Sequence, residues 1–466
     1  MKWFALWTDI LLYVLILMLC GFIYKVLTSP LLRQQMKGLL TRPLNLTAIF
    51  ILIVYLVIGM LDSVHFELVN PEMQKQYPNN IISLLDIGLK PVLSHPEKSY
   101  SAPFATHAFT KETIIDEADE IAREYPRLKY GGAHLKDPQL RNQDILNRIK
   151  FSFIQAVLLS LALCIIVSVY ASRKLNLSLE VFFVEMGAGR LLFPFRTFYL
   201  LLFLSLFLGL MIYHLMSFYH ILGTSKVGED VFYQSMKSIR TGLVIGTLTT
   251  LIMLPFAVLL GVMAGYFLGW VDDVIQYLYT TLSSIPGVLL IAAAVLTLQV
   301  VMNRHADLFQ TISERSDARL LALCVILGIT SWTGLCRMLR GEALKLREIE
   351  YVQAAQSLGV KPFKILFRHI IPNVMHIILI AVALDFSGLV LAEAVLSYVG
   401  VGVDPTTYSW GTMINGARLE MARLPMVWWS LLSAFGFMFF LVLSANIFSD
   451  ALRDALDPRT QQAGIR

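Results

Sequence analysis

Few residues in this 466-residue chain are disposed to do chemistry. The nine histidines are scattered, and the four cysteines (Cys20, Cys164, Cys324 and Cys336) lie in or at the ends of apolar runs, with no pair at metal-ligand spacing. No Gly-x-x-x-x-Gly-Lys phosphate loop occurs, and no glycine is followed by lysine anywhere. His-Glu-x-x-His and Gly-x-Ser-x-Gly are also absent. The chain is therefore expected to bind no ATP, metal or other cofactor of its own and to carry no enzyme active site. Two acids, Asp385 and Glu393, lie inside an apolar run of membrane-spanning length. A carboxyl there is costly unless it faces protein or a water-filled path. One reading is a proton or cation site on a pathway. The other, a polar group satisfied by neighbouring helices, is preferred, because no third ionisable residue at helical spacing completes a relay.

The longest charged, amphiphilic stretch of the second half is Glu342–Asn373, between two membrane-length apolar runs. Glu342–Leu358 is rich in strong helix formers and predicts one helix. Gly359 suits the left-handed residue that ends it. A short second helix can start near Pro362, and Pro372 is expected to break or kink the chain. Such a helix–Gly–helix is either an ordinary surface loop or a docking element.

These residues need elements to position them, and composition says what those are. The chain is 56% hydrophobic and 15% charged, against about 45–50% and about 25% in soluble proteins. Several apolar runs reach the ~20 residues that cross ~30 Å of hydrocarbon. The fold class is an all-α polytopic membrane protein, since spanning helices satisfy their own backbone and no alternating barrel pattern appears. Nine spans are expected near 9–28, 45–62, 151–171, 197–219, 240–267, 285–302, 319–337, 373–399 and 427–448. The first resembles a signal peptide only superficially and is read as a retained span. The net charge of +5 does not indicate nucleic-acid binding.

Lysines and arginines set an orientation. The segments 29–44, 172–196 and 338–372 are cation-rich, and the tail 450–466 carries Arg453, Arg459 and Arg466. All four lie in the cytoplasm if the N-terminus is outside and nine spans follow. Residues 63–150 then form a small outside domain, with Tyr77–Asn80 and Gly131–Pro138 as turns. Thr110 is expected to cap a helix to about Tyr125, with Ile114, Ala118 and Ile121 on one face. Val227–Ile239 predicts an interfacial helix leading into the next span. Gly261 and Gly265 predict close helix approach. Trp428 and Trp429 predict an aromatic belt at the start of the last span.

The central stretch also carries a motif. Gln353-Ala354-Ala355, three residues, Gly359, nine residues, then His369-Ile370-Ile371-Pro372 resembles the EAA motif of ABC-importer membrane subunits. Leu391-Ala392-Glu393-Ala394, Leu396–Gly400, Ser409-Trp410-Gly411, His220–Thr224, Gly269–Asp272 and Leu452–Arg459 resemble the second permease of the dipeptide/oligopeptide/nickel family. The likeness covers about 197–460. It implies a six-span permease core within 197–449, including a first core span and outside loop at 197–239 and a coupling loop at 338–372. It implies docking of cytoplasmic ATPases through Glu350, Gln353, Ala354, Ala355, Leu358, Gly359 and Pro372. It further implies a homologous partner permease, two ATPases that bind ATP and Mg, an extracytoplasmic binding protein, and a bacterial inner-membrane setting in contact with lipid. Peptide cargo is expected, with nickel, a peptide antibiotic or another small solute as the alternative. A standalone ion carrier built around Asp385 and Glu393 is the remote third. Gln353 stands where the motif has Glu, and Ser225 and Glu229 stand where relatives commonly have Asp and Arg. Residues 1–62, 63–150 and 151–196, with three extra spans, lie outside the resemblance.

Overall fold

The computed structural model describes residues 2–30, 38–68, 81–115, 121–305, 309 and 311–456. Its helices are α1 (Trp7–Thr28), α2 (Pro43–Ser63), α3 (Arg141–Leu175), α4 (Leu179–Ala188), α5 (Phe195–Met216), α6 (Val231–Phe267), α7 (Gly269–Ser284), α8 (Gly287–Arg304), α9 (Ile312–Ser331), α10 (Thr333–Arg347), α11 (Glu350–Ser357), α12 (Ile371–Val399), α13 (Trp410–Glu420) and α14 (Trp429–Leu456). Among the described residues, nine helical stretches are long and apolar enough to cross a membrane, and they coincide with the nine expected runs. The chain is an all-α polytopic membrane protein with a few short strands.

Two compact units are present. One comprises Met1–Phe4, Lys37–Arg240 and Gly416–Ser444. In it, α3 and α5 pack as an antiparallel pair, and α2 packs on α5. The strands β1 (Lys2–Phe4), β2 (His65–Glu67) and β3 (Ile81–Ser83) form an antiparallel sheet in the order β1-β2-β3, with Trp3 opposite Phe66 and Phe66 opposite Ile82. The helix expected from Thr110 to Tyr125 is not formed. Strands β4 (Glu112–Ile115) and β5 (Ile121–Glu124) pair instead, with Thr113 opposite Arg123. The run Thr113-Ile114-Ile115 is β-branched, which disfavours helix and favours a pleated strand. Residues 116–120, like the turn at 77–80 and the motif's Asp457–Arg459, fall outside the described residues. Gly131–Pro138 is a turn region as expected. The interfacial helix at Val227–Ile239 is also corrected. Helix α6 starts at Val231 and runs on without interruption, and Val231, Phe232, Tyr233 and Ile239 are buried. Residues 223–230 form a tight hairpin instead, with Thr224 bridged to Asp230. Trp429 is no belt residue either. It is 1% exposed, and its indole N–H donates to the Thr224 carbonyl at 3.0 Å.

The other unit comprises Ala5–Met36, Thr241–Asn415 and Ala445–Arg466. One buried cluster joins α6 and α8 to α9 through Val244, Leu248, Val295, Leu323 and Leu327, with Leu12 of α1 against it. Helix α1 is fastened to α9 by Thr8, whose backbone N–H and hydroxyl both donate to Asp317. The glycine pair in α6 does what its spacing predicts. A Cβ on Gly261 would lie 2.6 Å from the Cys336 carbonyl, and one on Gly265 would lie 2.5 Å from the Arg340 carbonyl. Only glycine lets α6 and α10 approach this closely.

Candidate functional site

The 342–373 stretch is built as three pieces rather than one long helix. Helix α10 ends at Arg347 with Lys345 and Arg347 in its last turn, where cations suit the helix dipole. Ile349 is extended (φ −76°, ψ 139°), so the chain bends before α11 begins. The expected single helix over Glu342–Leu358 is thus broken at Glu348-Ile349. The break has a packing reason. Restarting the helix at Glu350 puts Val352 and Ala355 into a buried cluster with Val262, Tyr266, Leu339, Ala343 and Ile365. Burying Val352 completely is worth about 1.5–3 kcal/mol, more than the few hydrogen bonds lost at the bend.

Gly359 ends α11 as predicted, with φ +74°. The Val360 N–H donates to the Ala355 carbonyl at 3.1 Å and the Gly359 N–H to the Gln356 carbonyl at 2.9 Å. This is the paired-bond stop that glycine favours. A short helical turn starts at Pro362, as expected. Pro372 does not break the chain. It sits in the first turn of α12, after a π-helical turn over Leu366–Ile370. The widened turn absorbs the ring and the missing N–H without ending the helix.

Helix α11 therefore has two faces. Val352 and Ala355 point into the protein, while Glu350, Gln353 and Ala354 are exposed and Leu358, at its end, is 83% exposed. Phe363 and Phe367, each 60% exposed, follow. The contacts that hold α11 are hydrogen bonds rather than ion pairs. Gln356 Nε2 donates to Tyr266 Oη at 3.2 Å, and Asn373 Nδ2 donates to Tyr351 Oη at 2.8 Å. Gln353 Nε2 donates to the Glu348 carbonyl and to Glu348 Oε2, both at 3.3 Å. A glutamate at 353 would set its carboxylate against that of Glu348, which gives a local reason for the amide.

A charged fork lies behind α11. Arg340 of α10 donates to both oxygens of Asp272 on α7, at 2.6 and 2.7 Å, and Gln276 adds a third bond at 2.9 Å. The hydrogen bonds and charge of Arg340 hold the Asp272 carboxyl below the usual carboxylate range, against its burial. Arg337 lies over the Tyr279 ring at 5.2 Å. Sequence reasoning missed α7, because Asp272 and Asp273 read as acids at the inner membrane surface beyond the 240–267 span. The signal was present: Val271, Ile275, Tyr279 and Leu282 recur at helical spacing and pack into the cluster that holds Val352.

The structure does not bring Asp385 or Glu393 to α11. Asp385 lies about 20 Å further along α12. It is half-buried, near the middle of the helix. Glu393 is 2% exposed and accepts a 2.6 Å hydrogen bond from Ser397 Oγ, which also accepts the Val403 N–H. Gly411 abuts Ser397 and Ala394, and Gly242 abuts the Trp410 ring. The motif residues around Glu393 and Ser409–Gly411 thus make one packed, hydrogen-bonded junction. Glu393 is satisfied by its neighbours.

The model of the family described as "binding-protein-dependent transport system inner membrane component" matches residues 257–462. The oligopeptide transport system permease protein OppC of Mycobacterium tuberculosis is 31% identical over 249 residues, covering 53% of this chain and 79% of the relative. The chain belongs to this permease family. The glutathione transport system permease protein GsiD of Pectobacterium atrosepticum is 31% identical over 240 residues (52% and 73% covered). The dipeptide transport system permease protein DppC of Bacillus subtilis is 30% identical over 247 residues (52% and 70% covered). The family match contains α7, α10, α11 and the Glu393 junction, so the permease core supplies every part of the site. The chain is accordingly a multi-pass membrane component of a binding-protein-dependent transport system.

Proposed function

We propose that this chain is a permease subunit of an ATP-driven importer of short peptides, with α11 as the element that docks on the ATPase. The observation that carries this is the geometry of 350–359. A short helix is anchored by one apolar face and stopped by Gly359, and it presents Glu350, Gln353, Ala354 and Leu358 outward. A helix that must pass force between subunits needs such a rigid footing, and the Asp272–Arg340 fork and the Pro372 turn supply it. The chain has no phosphate-binding loop, so ATP and Mg are assigned to two partner ATPases. A homologous permease and a substrate-binding protein complete the machine. The N-terminus is assigned to the outside and the C-terminus to the cytoplasm of a bacterial inner membrane. Peptide cargo follows from the names of the oligopeptide and dipeptide relatives, and glutathione, from the third, is the second reading.

The test is Gly359→Val. Space for the side chain exists, but a β-branched residue at positive φ is strained by about 1–2 kcal/mol, so the helix stop is deformed while the fold survives. Dipeptide uptake should fall at least about tenfold, with the ATPases still co-purifying. Unchanged uptake with normal assembly would remove α11 from coupling. Competition between dipeptides and glutathione in the same cells separates the two cargoes.

A further inference from the structure

The family match begins at residue 257 and leaves residues 63–150 without a role. Three features tie them to the segment Phe218–Lys237. The first is backbone pairing. The Thr224 N–H donates to the Ser101 carbonyl at 3.0 Å, Glu97 N–H to Gly228 at 3.0 Å, Phe104 N–H to His220 at 3.0 Å and Gly132 N–H to Phe218 at 2.8 Å. The second is close approach. Gly228 has φ +76°, and a Cβ there would fall 1.7 Å from the Glu97 carbonyl oxygen. The third is buried charge. The Glu97 carboxylate accepts the successive amides of Lys129, Tyr130 and Gly131 at 3.0, 2.8 and 3.0 Å, and lies 3.5 Å from His220 Nε2. His220 Nδ1 lies 2.8 Å from Asp230 Oδ2, and Asp230 Oδ1 accepts the Phe232 N–H at the start of α6. One turn on, Lys237 lies 2.6 Å from Asp62 and 2.9 Å from Asp86. Glu97, His220, Asp230, Asp62 and Asp86 are all less than a tenth exposed.

We propose that the segments 83–109 and 127–132 are a built-in clamp that holds the 218–230 hairpin and the first turns of α6 in one arrangement, with Glu97 and Asp86 as its positioning residues. A passive spacer has no need to bury carboxylates against another segment's imidazole and ammonium groups. Once such pairs are buried, withdrawing either partner leaves an uncompensated charge, so the clamp stays shut through a transport cycle. Ser225 and Glu229, which depart from the family's usual pair in this hairpin, fit the same account. The Ser225 N–H donates to the Glu229 carbonyl at 2.8 Å, and Gln234 Nε2 donates to the Glu229 carboxylate at 2.8 Å. The hairpin is thus bonded within itself and is held from outside as well, through Glu97 and Ser101. The role in transport rests on the permease reading; the clamp as a structural device does not.

The test uses the full-length chain in its native complex. Hydrogen exchange is read on peptides covering 129–131 and 218–230, and dipeptide uptake is measured in parallel for Glu97→Gln, Gly228→Ala and the control Gly359→Val. Glu97→Gln should speed exchange in both peptides roughly ten- to a hundredfold, the worth of charge-assisted hydrogen bonds. It should lower the maximal uptake rate and leave half-saturation unchanged, because the clamp positions and does not bind cargo. Adding His220→Gln and Asp230→Asn to Glu97→Gln, which leaves no buried charge in the cluster, should recover part of the protection. Exchange within about twofold of the parent in both Glu97→Gln and Gly228→Ala would overturn the clamp. Faster exchange with unchanged uptake would overturn its role in transport. If Gly359→Val leaves uptake intact, the coupling role of α11 fails, and Glu97→Gln, read by both exchange and uptake, still decides the clamp.

Discussion

The segment 350–372 and the hairpin segment 218–237 treat their polar groups in opposite ways. Around α11 the hydrogen bonds are few and come from amide side chains, Glu350 and Gln353 face solvent, and Leu358, Phe363 and Phe367 are left uncovered. Around the hairpin, His220, Thr224 and Asp230 are buried, and the carboxylate of Glu97, more than 120 residues earlier, lies 3.5 Å from His220. Exposed apolar side chains beside a rigid helix suit a surface that another chain will cover. Buried, mutually compensating charges suit a surface that its own chain has already covered. The same fold thus holds one segment ready for a partner and keeps another permanently closed.

The largest expected effect breaks the closed side. Lys237→Met leaves Asp62 and Asp86 facing each other without their cation, and should cost about 3–5 kcal/mol. Thermal unfolding of the purified chain reads the loss, and adding Asp62→Asn and Asp86→Asn should restore most of it. A Lys237→Met chain as stable as its parent would mean that the buried charges hold nothing.

The next largest effect is a pH dependence confined to that side. Burial lowers the His220 pKa, but the hydrogen bonds and charges of Asp230 and Glu97 outweigh it and lift it to about 9. Glu97, also opposed by burial, is held down at about 2 by His220 and the three amides. His95, the other titratable group near this imidazole, is pushed down by burial and by His220 itself. A histidine raised in the folded state stabilises fully below its unfolded value of about 6.5 and loses that contribution as pH rises through its folded value. The clamp should therefore hold from pH 5 to 6.5 and weaken between about 6.5 and 9, by up to roughly 3 kcal/mol. Protease sensitivity of 218–230 against pH, with His220→Gln as the flat reference, checks this. The Glu97 contribution is full above its unfolded value of about 4.5 and is lost progressively as pH falls towards 2, so acid release already at pH 5.5 would contradict the assignment.

On the open side, Asp272→Asn removes the charge from the fork while keeping one acceptor. The cost should be about 1–3 kcal/mol, and its readout is functional. If the fork transmits motion from α11, peptide taken up per ATP hydrolysed should fall while ATPase association holds. Equal losses in both would reduce the fork to a stabiliser.

The two sides were not equally legible in the sequence. The nine spans follow from apolar length alone, and the Gly359 stop and the Pro362 restart follow from local spacing, because both lie within about thirty residues. The clamp did not show, since Lys237 and Asp62 are 175 residues apart, and no local pattern marks a histidine or lysine that will be buried by a distant carboxylate. The β4–β5 pair was misread because Ile114, Ala118 and Ile121 happen to fit a helical face. Strand pairing wins there through contacts that a window of the sequence does not contain. The bend at Glu348-Ile349 was missed for a related reason, as helix propensity is a weak prior beside the burial of Val352.

The smallest effect tests Gln353, the one position where the motif's own charge is absent. Gln353→Glu should cost the free chain only a few tenths of a kcal/mol, because both carboxylates would be exposed and screened. Its consequence should appear in docking. Repulsion from Glu348 would push the new carboxylate off α11 and weaken ATPase association a few-fold at low ionic strength, with the effect fading as salt rises. Adding Glu348→Gln should reverse the loss, because the amide and carboxylate then trade places. If the second change restores nothing, Gln353 is not explained by Glu348, and the ATPase surface it meets must itself be short of a cation.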